Sequence, residues 1–176
     1  GYNRVFYNTT YTYPVPVKAD GSLLETPSFT AAWDDGYNKT GSVNLGDLNN
    51  LSVGAVKTNP SCSNNCTTTK YYYSTFTPTT GTPDCTDSNY TLTTTLPDDQ
   101  KQNYANWYSF YRTRSLMMRA GVGRTFVNID NKFRVGFTVI SEKTFNEKSD
   151  LSDYSLHVRT FDSTQKQDFF NRLYKA

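Results

Sequence analysis

Between residues 103 and 126 the chain reads NYANWYSFYRTRSLMMRAGVGRTF, and its large side chains recur at helical spacing. Positions 104, 107, 108, 111, 115, 118 and 122 follow the three/four spacing of one helix face: Tyr104, Trp107, Tyr108, Tyr111, Ser115, Met118 and Val122. Leu116, Ala120 and Gly123 broaden the stripe. Just upstream, LPDDQKQ is a helix start, with Pro97 near the first turn and Asp98 and Asp99 where the macrodipole favours negative charge. The pattern predicts one helix from about residue 99 to about residue 126. An aromatic stripe of this kind is stable only when covered, so the chain must supply a second layer against it.

That layer is expected from NKFRVGFTVIS, where Phe133, Val135, Phe137 and Val139 alternate with Arg134, Gly136 and Thr138 in strand fashion. Tyr104, Trp107, Tyr108 and Tyr111 form the core face of the helix and are expected to be buried against this strand. A polar loop, EKTFNEKSDLSD, leads to a second short strand in YSLHVRTF. The segment DSTQKQDFFNRLYKA closes with a helix capped by Asp162 or Ser163, whose apolar residues are Phe169, Phe170, Leu173 and Tyr174. Long helix, strand hairpin and closing helix make an α+β or α/β fold.

The first half is built differently. Residues 1–95 hold 5 Lys/Arg against 7 Asp/Glu, a balance of −2, whereas residues 96–176 hold 13 against 9, a balance of +4. Residues 1–45 show no helical period; Pro14 and Pro16 favour extended chain, and Asp-Gly pairs at 20–21 and 35–36 mark turns. They read as a segment that wraps the rest and anchors itself through aromatics such as Phe29 and Trp33. From residue 58 to 95 there are fourteen threonines and three charged residues, and TTTKYYYSTF and NYTLTTTL have strand composition. The expectation is a polar Thr/Tyr/Asn-rich insertion, 1–95, with short strands, carried by an α/β segment, 96–176, the two forming one domain.

The weak net charge of +2 gives no global reason to expect a polyanionic partner. Arg112, Arg114, Arg119 and Arg124 among aromatics could suggest a nucleic-acid surface, but the aromatics share a core face, so the arginines read as flanks that pair with nearby acids; no specific nucleic acid is expected. Gly121 and Gly123 cannot be a phosphate loop, because the helix runs into them; they read as close helix–sheet packing. Cys62-Ser-Asn-Asn-Cys66 lacks a second metal-binding pair, and the only histidine is the distant His157. A disulfide in an oxidising compartment is favoured, with Cys62, Cys66 and Cys85 allowing three pairings that the sequence leaves open. His157 has no nucleophile constellation, and Asp34–Asp35 and Asp98–Asp99 suit turns and caps, so no catalytic residues are assigned. Asn8, Asn38, Asn50, Asn65 and Asn89 are formal sequons. Tyr71, Tyr72, Tyr73 and Phe76 are candidates for partner contact, with packing on the scaffold as the alternative. No apolar run approaches the length of a membrane helix, so no membrane insertion is expected.

Four stretches in this order, NRVFYNTTYTYPVPVKADGS, SFTAAWDDGYN, NYANWYSFYRTRSLMMRAGVGRTF and FRVGFTVIS, resemble the signature of pilus-tip adhesins of the PilC/PilY type. The resemblance implies a secreted, non-enzymatic protein at the tip of type IV pili, reached through the periplasm and active in adhesion or pilus assembly. It implies that this chain is an internal piece of an N-terminal von Willebrand A-like region: a partial unit with a β-rich, loop-rich insertion. Implied partners are pilins or minor pilins, or a host-surface ligand. An extracellular carbohydrate-binding or hydrolase accessory domain is the alternative.

The chain departs from that family in one respect. Its metal-ion-dependent adhesion motif, Asp-x-Ser-x-Ser completed by a later Thr, is not formed by DDGYN, DNKFR or DSTQK. A divalent cation belongs to the full-length family domain; none is expected here. The resemblance also implies an unpaired edge on the strand over residues 133–140, which would pair with the missing part of the same domain.

Overall fold

The computed structural model describes residues 5–48, 55–57, 69–76, 90–139 and 155–175. Among the described residues the strands pair as three antiparallel ribbons: β1 (Ala55–Lys57) with β2 (Thr69–Tyr71), β3 (Tyr73–Phe76) with β4 (Tyr90–Thr93), and β5 (Arg134–Thr138) with β6 (Ser155–Thr160). The helices among the described residues are three: α1 (Asp98–Phe110), α2 (Arg114–Phe126) and α3 (Ser163–Lys175).

The long helix expected over residues 99–126 is two helices. The start is as anticipated, with Pro97 at the N-cap and Asp98 and Asp99 in the first turn. At Tyr111 the backbone leaves helical geometry (φ −135°), and Thr113 is extended (φ −117°, ψ 157°). Thr113 Oγ1 then accepts from Leu116 N at 3.2 Å, a side-chain cap that starts α2. Val5 N donates to Arg112 O at 2.8 Å, so the N-terminal segment satisfies a carbonyl that the break frees. The break also re-phases the buried face. Tyr104, Trp107, Tyr108 and Tyr111 are buried, but Ser115 and Met118 of the same projected stripe are exposed, Met118 by 60%. Leu116, Ala120 and Gly123 are the buried positions of α2.

Nor do the α1 aromatics lie on β5. They form one core cluster with Tyr7, Tyr13, Val15, Ala32, Leu45, Tyr72 and Leu96. The segment over residues 5–48 is therefore the second layer for α1, with Phe29, Trp33 and Tyr37 packed against the same cluster. β5 serves a second cluster, where Val135 and Phe137 meet Leu156, Phe161, Phe169, Phe170, Leu173 and Tyr174. Leu24 and Tyr37 touch both clusters and join them.

The β5–β6 ribbon is irregular: register shifts between Val135 and Phe137, and buried Gln165 of α3 donates to Val135 O (2.9 Å) and His157 O (2.6 Å) beside the shift. Phe133 stays outside the strand and is 59% exposed. Asp162 is the residue that caps α3, accepting from Gln165 N at 2.9 Å. Gly123 does allow a close approach, but to a helix rather than a sheet: a Cβ there would lie 2.5 Å from Tyr174 Oη of α3. Gly121 faces open space.

Candidate functional site

α1 acts as a template for a chain segment that has almost no secondary structure of its own. The prolines and turns of residues 5–48 leave backbone groups without ladder partners, and such groups must be satisfied when buried. Side chains of α1 supply the partners. Asn103 accepts from Tyr13 N at 2.7 Å and donates to Tyr11 O at 2.8 Å and Tyr7 Oη at 3.0 Å. Asn106 donates to Tyr13 O (2.8 Å), Tyr111 Oη to Pro14 O (2.6 Å), Trp107 Nε1 to Val5 O (3.2 Å) and Gln102 to Pro27 O (3.0 Å). The aromatics thus act through both ring and polar tip. Tyr7 packs on Tyr13, Tyr104, Trp107 and Tyr73 at centroid distances of 5.0–5.7 Å. Burial raises the hydroxyl pKa of Tyr104, and pushes that of Tyr111 up to about 12.

Where α1 gives way to α2, the turn Asp34-Asp35-Gly36-Tyr37-Asn38 is clasped by two arginines. Asp34 Oδ1 accepts from Tyr108 Oη (2.8 Å) and Arg112 (3.2 Å), and Asp35 Oδ2 accepts from Arg119 (2.9 Å) and Asn38 (2.9 Å). The two neighbouring carboxylates thus pair with different arginines. Burial alone would raise the Asp35 pKa; hydrogen bonds from Asn38 and Arg119 and the charge of Arg119 outweigh it and hold the carboxyl below its ordinary value. Gly41 closes the turn at φ +71°, where a Cβ would lie 2.3 Å from the Asp34 carboxylate. Asn38 also donates to Tyr174 O at 3.1 Å, and the Tyr174 hydroxyl donates to Val17 O, which ties α3 to the segment at two points. Arg112 and Arg119 are thus the core-flanking, acid-paired arginines the sequence suggests.

Two adjoining cavities, of about 290 and 560 Å³, lie between the turn over residues 18–22 and α3. They share Ala19, Asp20 and Gln167. The larger is rimmed by Asp20, Asp130, Asp162 and Lys166, and the carboxylates are occupied: Asp20 by Ser22, Asp130 by Lys132 and Asp162 by the start of α3. Among the described residues no three His, Cys, Asp or Glu side chains come together as a metal site.

Of the candidate contact residues, Tyr72 is 7% exposed, donates to Leu45 O at 2.6 Å and meets Tyr104 edge-on at 5.2 Å; it serves the core. Tyr73 packs against the same cluster. The side chains of Tyr71 and Phe76, and all of Cys62, Cys66 and Cys85, lie outside the described residues. Asn103, Asn106 and Gln165 carry much of the architecture, and periodicity passes over them because polar side chains on a core face look like interruptions. Among the described residues no helix is long and apolar enough to cross a membrane.

No protein-family profile matches the chain, and no solved structure matches it. Curated relatives do. The chain is 27% identical over 187 residues to "Type IV pilus biogenesis factor PilY1" of Pseudomonas aeruginosa strain PAO1, covering 99% of this chain and 16% of the relative. Proteins of the same name from strains PAK and UCBPP-PA14 are each 29% identical over 183 residues, covering 98% of this chain and 16% of the relative. The chain thus spans about a sixth of the length of the curated relatives it matches. Along nearly all of its length it is similar to one segment of type IV pilus biogenesis factors of the PilY1 kind, in agreement with the resemblance carried by its four motifs.

Proposed function

We propose that this chain is a non-enzymatic module of a type IV pilus biogenesis factor, exposed at the cell surface, where it supports pilus assembly and adhesion at the pilus tip. The observation that carries the proposal is the near-complete coverage of the chain by relatives named for type IV pilus biogenesis. The site geometry supports a binding rather than a catalytic role, since Asp34 and Asp35 are committed to arginines. The order α1, α2, β5, β6, α3 is compatible with a partial von Willebrand A-like unit, and the segment over residues 5–48 is an elaboration laid on it. In this reading the β5 edge not used by β6 takes a strand from elsewhere in the same polypeptide, and minor pilins are the partners.

The test is a pull-down with the purified full-length protein on purified minor pilins, alongside a glycan array. Retention by a minor pilin that is lost when Asn103 and Asn106 are both changed to Ala, with the rest of the protein still folded, supports the reading. Binding to glycans with none to minor pilins moves the module to host-surface recognition and ends the assembly role.

A further inference from the structure

We infer that Asn8 is an acceptor for an N-linked glycan, and that Phe6 is the platform for its first sugar. Of the five sequons, the structure describes two, and it separates them. Asn38 is committed: its amide nitrogen donates to Asp35 Oδ2 and to Tyr174 O, and both bonds belong to the clasp that joins three parts of the fold. Asn8 is exposed, and among the described residues its Nδ2 donates to nothing, while its Oδ1 accepts from both N and Oγ1 of Thr10 (3.0 and 2.9 Å). The hydroxyl that defines the sequon is therefore held on the acceptor amide, and both face solvent. The backbone under the turn is fixed from beneath, by Asn8 N donating to Tyr13 Oη at 2.9 Å.

Phe6 is the second, independent observation. At 86% exposure it is the most exposed of the large apolar side chains among the described residues. Tyr7 between the two is buried, so Phe6 and Asn8 both project outward from the same side of the chain. Phe-x-Asn-x-Thr then offers an aromatic face two residues before the glycan, and the C–H face of a pyranose is the surface that stacks on such a ring. A sugar there covers an apolar face that is otherwise in water.

The transfer balances simply. Asn8 Nδ2 attacks the anomeric carbon of a lipid-diphosphate-linked oligosaccharide; the Nδ2–C1 bond forms, the C1–O bond breaks, the diphosphate leaves with the electron pair, and one amide proton passes to a base of the transferase. In the cell this requires the extracytoplasmic route of the proposed function. The test therefore has two arms, each read by mass spectrometry on the tryptic peptide of residues 5–18, in which Asn8 is the sole asparagine. In the first, a purified oligosaccharyltransferase that accepts the plain Asn-x-Thr sequon is given a lipid-linked donor and the purified protein. The expected result is a glycan on Asn8 that is lost in Asn8→Gln and Thr10→Ala, retained in Thr9→Ala and reduced in Phe6→Ala. A bare Asn8 beside a modified control peptide overturns the proposal, and unchanged occupancy in Phe6→Ala overturns the platform. In the second arm, full-length protein recovered from the cell exterior carries the same mass on Asn8; exterior protein with a bare Asn8, or with sugar on a threonine only, overturns the proposal. Protein confined to the cytoplasm instead overturns the proposed function and leaves the purified reaction to decide.

Discussion

Replacing Gly36 by alanine should destabilise the fold through a single steric contact. The Cβ would lie 2.4, 2.7 and 2.8 Å from three ring carbons of Phe110, against an ordinary carbon–carbon contact of about 3.5–4.0 Å. The ring would have to withdraw by roughly 1 Å, yet Phe110 is fully buried and meets Tyr37 at 5.3 Å, which itself packs on Tyr174 at 4.6 Å. The backbone cannot yield easily either, because Gly36 N donates to Ser109 O at 2.9 Å. Overpacking of this sort costs about 1–3 kcal/mol. The lower entropy of the unfolded alanine chain returns about 0.4–1 kcal/mol. The mid-values leave a net loss of about 1.3 kcal/mol, which in a domain of this size lowers Tm by about 3–5 °C. Urea unfolding followed by the fluorescence of Trp33 and Trp107 reads it as a lower midpoint at unchanged slope. Phe110→Leu in the Gly36→Ala background should cost less than the sum of the two changes. A Gly36→Ala protein with the wild-type midpoint would refute the claim that the turn is seated on α1.

Gly121→Ala should do the opposite, since nothing lies within 4 Å of its Cβ position; a rise of about 0.5–1 kcal/mol in the same urea assay is expected. Thr113→Ala removes the cap that separates α2 from α1 and should cost about 1 kcal/mol, measurable as a lower Tm. Gln165→Leu removes the side-chain donor to Val135 O and His157 O and should cost about 1–3 kcal/mol, with amide exchange accelerating first in β5 and β6. Because the Asp35 pKa is depressed in the fold, its contribution is full above the unfolded value of about 4 and is lost as pH falls through the folded value; Asp35→Asn should flatten the acid limb of the stability curve. The Tyr111 hydroxyl has the opposite sign: its pKa, raised by burial, contributes stability below about 10 that is lost as pH climbs towards 12, so the absorbance difference between wild type and Tyr111→Phe should show its ionisation displaced above the ordinary tyrosine range, towards 12.

The elements with strong local signals were legible. Pro97, Asp98 and Asp99 mark the start of α1, Asp162 that of α3, and the Val135/Phe137 alternation marks β5. The failures have a common cause. Thr113 is a good cap in the middle of a helical pattern, and periodicity counted through it because tyrosine, serine and methionine kept the spacing on both sides. The α1 stripe meets residues 5–48 and not β5; periodicity states that a face is buried and not against what. The true partner, residues 5–48, has no period at all: its place is set by hydrogen bonds from Asn103, Asn106, Trp107 and Tyr111 to individual backbone groups. The site was legible in part. The arginine–aspartate pairing follows from composition, but which aspartate meets which arginine depends on the turn that Gly36 and Gly41 permit.

The central claim, a role in type IV pilus biogenesis, is tested most directly by counting surface pili in the organism that makes this protein. Deleting the gene for the full-length polypeptide should abolish surface pili, and the intact gene supplied in trans should restore them. Normal numbers of pili in the deletion strain would contradict the account.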